Sequence, residues 1–213
     1  VRYHEGAFPP KSLDYERLLG PLEEAAASLA RYDAKISGMV NGELFLAPLR
    51  RQDAVTSSRM EGTISTIEDL YRLEAEEDSG STDLYRDARH DDIETYLYSR
   101  ALRSAQDALA EGMPLGEHLI RSAHQQLLSA GRGATKRPGS YKIEQNYIGD
   151  ERRGKIYYVP IAPEQLEPAV AALVQFINTS ETRPLIRTAL AHVEFEALHP
   201  FEDGNGRIGR MLI

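Results

Sequence analysis

The run His199-Pro200-Phe201-Glu202-Asp203-Gly204-Asn205-Gly206-Arg207-Ile208-Gly209-Arg210 reads as a helix end, a tight turn and a helix start in immediate succession. The apolar positions Leu185, Ile186, Ala189, Leu190, Val193 and Leu198 lead into it with helical spacing. Pro200 ends that helix, because proline has no N–H to donate and disfavours helix in the residue before it. His199 is thereby placed at a helix end, where an imidazole can face a cleft. Gly204-Asn205-Gly206 supplies a backbone able to turn sharply and approach a ligand closely. From Arg207 a second helix opens, and its free N–H groups and positive dipole end suit a phosphate. Arg207 and Arg210 are three apart, which predicts one shared face carrying two planar cationic forks. Asp203 stands just ahead of the turn, where a carboxylate can hold Mg2+ against phosphates.

Working outward, most of the chain repeats helical periodicity. Residues 1–12, with Pro9-Pro10, read as an extended arm. Helical patterns follow at 13–32, where Gly20-Pro21 suits a helix start, and at 44–75, with a break near 57–63 and helix again through Ile64, Ile67, Leu70 and Tyr71. Residues 76–83 form a polar loop. Residues 91–111 (Ile93, Leu97, Ala101, Leu102) and 115–130 (Leu119, Ile120, Ala123, Leu127, Leu128) are amphipathic helices, and helices are expected again at 164–178 and 184–198. The one strand-like region, 141–159, places Tyr147-Ile148 and 156–159 either side of a polar loop bounded by Gly149 and Gly154, a hairpin closed by Pro160 and Pro163. The expected fold is therefore all-α with one β-hairpin. It divides into an N-terminal helical region (1–80) and a core (81–213) forming one compact unit. The chain stops at Met211-Leu212-Ile213 within an apolar helical run, so the core is expected to be incomplete at its C-terminus.

Composition narrows the classes of function. The balance of 25 basic and 33 acidic residues, −8 overall, argues against a broad nucleic-acid surface but not against a pocket needing two or three cations. With no cysteine, disulfide frameworks and thiolate zinc sites are excluded. No apolar run reaches membrane-spanning length, and a cytoplasmic setting is expected.

Ser57-Ser58-Arg59-Met60-Glu61-Gly62 carries a second pattern. Ser58 and Glu61 have capping-box spacing for the helix that follows. On a helix, Ser57 and Glu61 instead share a face. His192, Glu196 and His199 also lie at helical spacing, but their order is not that of a zinc helix. His4, His90, His118 and His124 stand in unremarkable settings, at the surface or as satisfied core positions, and Tyr147, Tyr157 and Tyr158 are explained by hairpin packing as well as by pocket lining or self-modification.

The run from His199 to Arg210 resembles the Fic (filamentation induced by cAMP) motif at each defining position. The resemblance continues through Ala189, His192, Phe195 and Glu196, through Pro138-Gly139 to Asn146, and through Tyr157-Tyr158-Val159-Pro160. Lys142 stands where that family often has arginine. The resemblance implies a protein adenylyltransferase that moves AMP from ATP to a Tyr, Thr or Ser hydroxyl of a target protein. His199 would be the general base and Asp203 the Mg2+ ligand. The backbone of Gly204 and Gly206 with Asn205 would form the anion hole, and Arg207 and Arg210 would hold the β- and γ-phosphates. Tyr157, Tyr158 and Val159 would belong to a flap that docks the target by strand addition. Ser57, Glu61 and Gly62 resemble the family's inhibitory pattern, in the group whose inhibitory helix precedes the core, with Glu61 reaching Arg210. Some relatives use that glutamate in removing AMP. Two other readings remain: a transferase moving phosphate or phosphocholine, and a non-catalytic nucleotide sensor. ATP and a target protein are the expected partners, with no membrane and no nucleic acid for this segment; a homodimer stays open.

Overall fold

The computed structural model describes residues 1–80 and 85–213. Asp14 opens the first helix, α1 (Tyr15–Ser37), by accepting the Arg17 N–H at 3.2 Å. The helix runs straight through Gly20-Pro21, against the expected start there. The Asp14 cap, nearly two turns earlier, satisfies a free N–H, and Pro21 inside the helix leaves the Arg17 carbonyl without its helical donor on an exposed element. None of α1's residues is buried, so its apolar positions form a thin stripe at most.

Helix α2 (Gly42–Met60) carries Ser57 and Ser58 in its last turn, so the break expected at 57–63 comes later. Gly62, at φ +93°, ends it in a left-handed conformation that side chains rarely adopt. Ser58 caps nothing; the capping box belongs to Thr66 and Asp69, which start α3 (Ile67–Asp78), and Ile64 lies in the connection. The polar loop expected from 76 begins after Asp78, and its residues 81–83 lie outside the described residues.

Helices α4 (His90–Ala110) and α5 (Glu117–Leu127) pack together and supply much of the core. Ile93, Leu97, Ala101 and Leu102 are buried as the periodicity requires, as are Leu119, Ile120, Ala123 and Leu127. Tyr96 and Tyr98 are also fully buried, so mid-α4 is enclosed all round by α2, α3 and α5. Helices α6 (Pro163–Thr179) and α7 (Pro184–Leu198) both start on a proline, whose fixed φ and missing donor cost nothing in a first turn. The last helix, α8 (Asn205–Met211), packs on α7, α5 and α2.

The strands are β1 (Ile148–Asp150) and β2 (Lys155–Tyr158), antiparallel, with Gly149 opposite Ile156 and an irregularity at Ile148. The turn is tighter than the expected 149–154 loop, because Gly149 and Asp150 pair within the ladder. Gly149 lies so close to the Lys155 backbone that no side chain would fit. The arm is extended but not free. Tyr3 N donates to Val159 O and Val159 N to Val1 O, both at 2.9 Å, so the arm runs parallel to the end of β2. Among the described residues, no helix is long and apolar enough to cross a membrane.

Candidate active site

His199 caps α7 in the left-handed region (φ 47°, ψ 60°), with its N–H still bound to Phe195 O at 3.0 Å. This geometry turns the chain out of the helix and places the imidazole at the mouth of the following turn. Nδ1 is buried without a hydrogen-bond partner among the described residues, 3.9 Å from Glu196 Oε2. Burial, reinforced by the Lys142 charge, lowers the imidazole's pKa to about 4. His199 is therefore neutral near pH 7 and able to accept a proton.

The turn is built from its own side chains. Asn205 Oδ1 accepts Phe201 N–H and its Nδ2 donates to Phe201 O, both at 2.8 Å. The Asn205 side chain is thus sequestered in the loop, and only its backbone N–H can face a ligand. Gly204 takes φ +77°, and a β-carbon there would press on Leu127 and His124. Helix α8 starts at Asn205, two residues before the expected start, leaving the N–H groups of Asn205, Gly206 and Arg207 without intrahelical partners. Asp203 Oδ1 accepts the Gly204 N–H at 2.6 Å. Its carboxylate is 44 % exposed, leaving one oxygen toward solvent.

Arg207 and Arg210 do not act as one paired fork. Arg207 is buried, with Nη1 3.5 Å from Glu94 Oε2 on α4 and Nη2 3.6 Å from Asp203 Oδ1. Arg210 turns to the end of α2. Its Nε donates to Ser57 Oγ at 2.7 Å and its Nη2 to Glu61 Oε1 at 2.5 Å and to Ser57 O at 3.2 Å. A β-carbon on Gly206 would stand 2.7 Å from Glu61 Oε1. The Glu61 carboxylate thus lies over the first turn of α8, where unpaired N–H groups and the helix dipole favour an anion.

Family models account for nearly all of this architecture. Residues 114–213 match the Fic/DOC family and residues 19–107 match the Fic/DOC family N-terminal region. The chain belongs to the Fic/DOC family. Protein adenylyltransferase fic-1 of Caenorhabditis briggsae is 32 % identical over 97 residues, covering 44 % of this chain and 17 % of the relative. Protein adenylyltransferase Fic of Nematostella vectensis is 31 % identical over 97 residues, 44 % of this chain and 21 % of the relative. The chain thus spans about a fifth of the length of these curated relatives. A Fic family protein from Desulfovibrio desulfuricans superposes with a TM-score of 0.68 at 21 % identity, covering 96 % of this chain and 57 % of that one. A Fic-domain signaling protein from Bacteroides thetaiotaomicron gives 0.62 at 23 %, covering 87 % and 70 %. These two likenesses concern the fold.

Around this Fic motif, several supporting residues escaped the sequence reading. His124 is the clearest. It is fully buried, stacks on Phe201 with centroids 3.7 Å apart, accepts Gly139 N–H on Nδ1 at 2.8 Å and holds Asp203 O through Nε2 at 3.0 Å. Burial lowers its pKa to about 4. Its setting is anything but ordinary, and a polar residue within the apolar stripe Ile120, Ala123, Leu127 was the available signal. Glu94 is similar: it shares a buried stripe with Tyr98 and Ala101 and also binds Arg132 Nε at 2.7 Å. His192 Nδ1 meets Gly209 O at 2.9 Å, and Glu196 lies against Gly209, so both tie α7 to α8. In the flap, Tyr157 is exposed while Tyr158 donates to Ala197 O at 3.2 Å. Val159 already carries the arm's hydrogen bonds.

Proposed function

We propose that this chain transfers AMP from ATP to a Tyr, Thr or Ser hydroxyl of a protein and is held in check by Glu61. The observation that carries the reading is the Glu61 carboxylate over Gly206, paired with Arg210. An anion already rests at the start of α8, with a neutral imidazole beside the same turn. Several relatives named protein adenylyltransferase support the same reaction.

In this reading the hydroxyl oxygen attacks the α-phosphorus while its proton passes to His199. Nδ1 is buried, so Nε2 is the accepting atom. A phosphorus–oxygen bond forms to the target, the bond to pyrophosphate breaks, and AMP remains on the protein. The N–H groups at the start of α8 and the Arg210 fork receive the phosphates once Glu61 gives way. Arg207, fixed by Glu94, contributes charge from below the turn rather than a free fork. Asp203 fits a magnesium ligand, since one oxygen is bound by Gly204 N–H and the other is open at the mouth of the site. Mg2+ held there would neutralise phosphate charge. Flap residues Tyr157, Tyr158 and Val159 would guide the target segment.

Wild type, Glu61→Gly and Glu61→Gly combined with His199→Ala are incubated with α-labelled ATP and a cell lysate, and modified peptides are weighed by mass spectrometry. The reading expects strong labelling by Glu61→Gly, at the mass of AMP and not of phosphate or phosphocholine. No labelling by Glu61→Gly, or labelling undiminished when His199→Ala is added to Glu61→Gly, would overturn it.

A further inference from the structure

Four consecutive carbonyls at the end of α7 are held by one short segment before the flap. Lys142 Nζ donates to Leu198 O at 3.1 Å and Lys142 N to Pro200 O at 2.9 Å. Asn146 Nδ2 donates to His199 O and to Phe201 O, each at 3.0 Å. The two side chains are joined, Lys142 Nζ to Asn146 Oδ1 at 2.8 Å. This is a four-point grip on the residues that carry the left-handed turn at His199. A non-glycine residue at positive φ persists only where its surroundings over-determine it.

Lys142 is an unusual choice for such a grip. It is 5 % exposed, and no carboxylate pairs with it among the described residues. Burial draws its pKa down to about 8, so it still carries charge near neutrality. A methionine would fill the same space without the desolvation cost. What the ammonium adds is two hydrogen bonds to the grip and a positive charge beside the imidazole.

We propose that Lys142 and Asn146 are the positioning residues of His199, gripping its backbone so that the imidazole faces the anion turn. The proposal rests on the reading of His199 as the base. The Lys142 charge has a second effect, because it opposes protonation of the imidazole. Burial acts in the same direction, and Glu196, Glu61 and Asp203 oppose it. From the sequence this position is only a departure from the family's usual arginine; the structure puts it beneath the turn at the histidine.

The test compares Lys142→Met, Lys142→Arg and Asn146→Ala, each with Glu61→Gly, by two readouts. One is NMR titration of the His199 imidazole, which needs no transfer activity. The other is the pH profile of labelling. Lys142→Met is expected to raise the His199 midpoint, to move the acidic limb of the profile to higher pH, and to cut the rate by ~10²-fold, the scale of a small misplacement of a catalytic group. Lys142→Arg, which keeps the charge and the donors, is expected to stay near the parent in both readouts. Asn146→Ala should lower the rate and leave the midpoint in place. A Lys142→Met protein with the parent's midpoint and rate overturns the proposal. If Lys142→Met does not fold, Asn146→Ala decides by rate: a loss supports the grip, and the parent's rate overturns it. Absence of transfer in the Glu61→Gly parent itself would count against the reaction, and the NMR midpoint would then decide the Lys142 assignment alone.

Discussion

Glu61 Oε1 and Arg210 Nη2 meet at 2.5 Å although 149 positions separate them. The contact joins the end of α2 to α8 at the point where α8 would meet a nucleotide tail. Arg210 is further tied down by Ser57 Oγ at 2.7 Å, and Ser57 itself is buried, so the arginine is held from two sides. The Glu61 carboxylate is 40 % exposed, which keeps the pair's contribution to stability small, about 0–1 kcal/mol. Its effect should lie in which anion Arg210 binds. Glu61→Gly is accordingly expected to raise self-labelling by about tenfold or more, equivalent to ~1.4 kcal/mol. The melting temperature should change by no more than a few degrees. A parallel loss of stability and gain of activity would instead indicate general loosening of α2.

His199→Ala tests the base separately from binding. A positioned general base contributes ~10² to 10⁴ in rate. Labelling in the Glu61→Gly background should fall by that range, while a fluorescent ATP analogue still binds with near-parental affinity. The imidazole makes no side-chain hydrogen bond through Nδ1 that would be left broken, so the fold should survive the change.

One buried and one half-buried histidine, both neutral, make stability depend on pH. His199 and His124 each have a folded pKa near 4, below the ordinary value of 6.5, chiefly through burial. Between those values the unfolded chain binds more protons than the folded one, so stability rises with pH across that window. It is fully present above about 6.5 and is lost as pH falls toward 4. For each histidine the loss of stability from neutrality to below pH 4 approaches roughly 3.5 kcal/mol, the difference between 6.5 and about 4 taken at ~1.4 kcal/mol per unit. Chemical denaturation at pH 7 and pH 5 should show the drop, and a His124→Gln variant should show a shallower one. A denaturation midpoint that is flat over this range would contradict the lowered pKa of both rings.

Much of the architecture was legible because it depends on local chemistry. Pro184 and Pro200 bracket α7, Gly204 marks the left-handed start of α8, and the stripes of α4 and α5 name their own buried faces. What stayed hidden was set by partners far away in sequence. Nothing near Gly20-Pro21 shows that Asp14 will cap first, and Ser58 and Thr66 compete as caps with equal local merit. The side chain of Asn205 reads as a ligand group until Phe201 is seen to take both its bonds. Arg207 and Arg210 share a face by spacing, yet Glu94 on α4 draws one inward and Glu61 just past the end of α2 takes the other. Lys142 and His124 lie more than 50 residues from the loop they support.

The arm offers a test of how firmly the flap is held. Glu194, 3 % exposed on α7, accepts Tyr3 Oη at 2.6 Å and binds His4 Nε2 at 2.7 Å. Glu194→Ala leaves both partners without their acceptor, at a cost of about 1–3 kcal/mol. Hydrogen exchange should rise at Tyr3 and Val159, whose N–H groups pair arm with flap, while the amides of α4 stay protected. Equal protection of Val159 in both proteins would mean that the arm holds without its anchor.

Gly206 separates two explanations of why a carboxylate lies over α8. An alanine there suits a helix better than glycine, by ~0.5–1 kcal/mol. Its β-carbon would come within 2.7 Å of Glu61 Oε1 and 3.0 Å of Arg210 Nη1, both ends of flexible side chains. The protein should fold, with Glu61 pushed aside. If Gly206 merely makes room for Glu61, the substitution releases inhibition and Gly206→Ala labels as Glu61→Gly does. If the space is where a phosphate must approach the backbone, the methyl group blocks substrate as well as inhibitor. The second outcome is expected: Gly206→Ala stays inactive, and adding it to Glu61→Gly abolishes the gain. Labelling assays on the two single variants and the double variant distinguish the cases, because only a shared binding place makes the removal of one anion useless to the other.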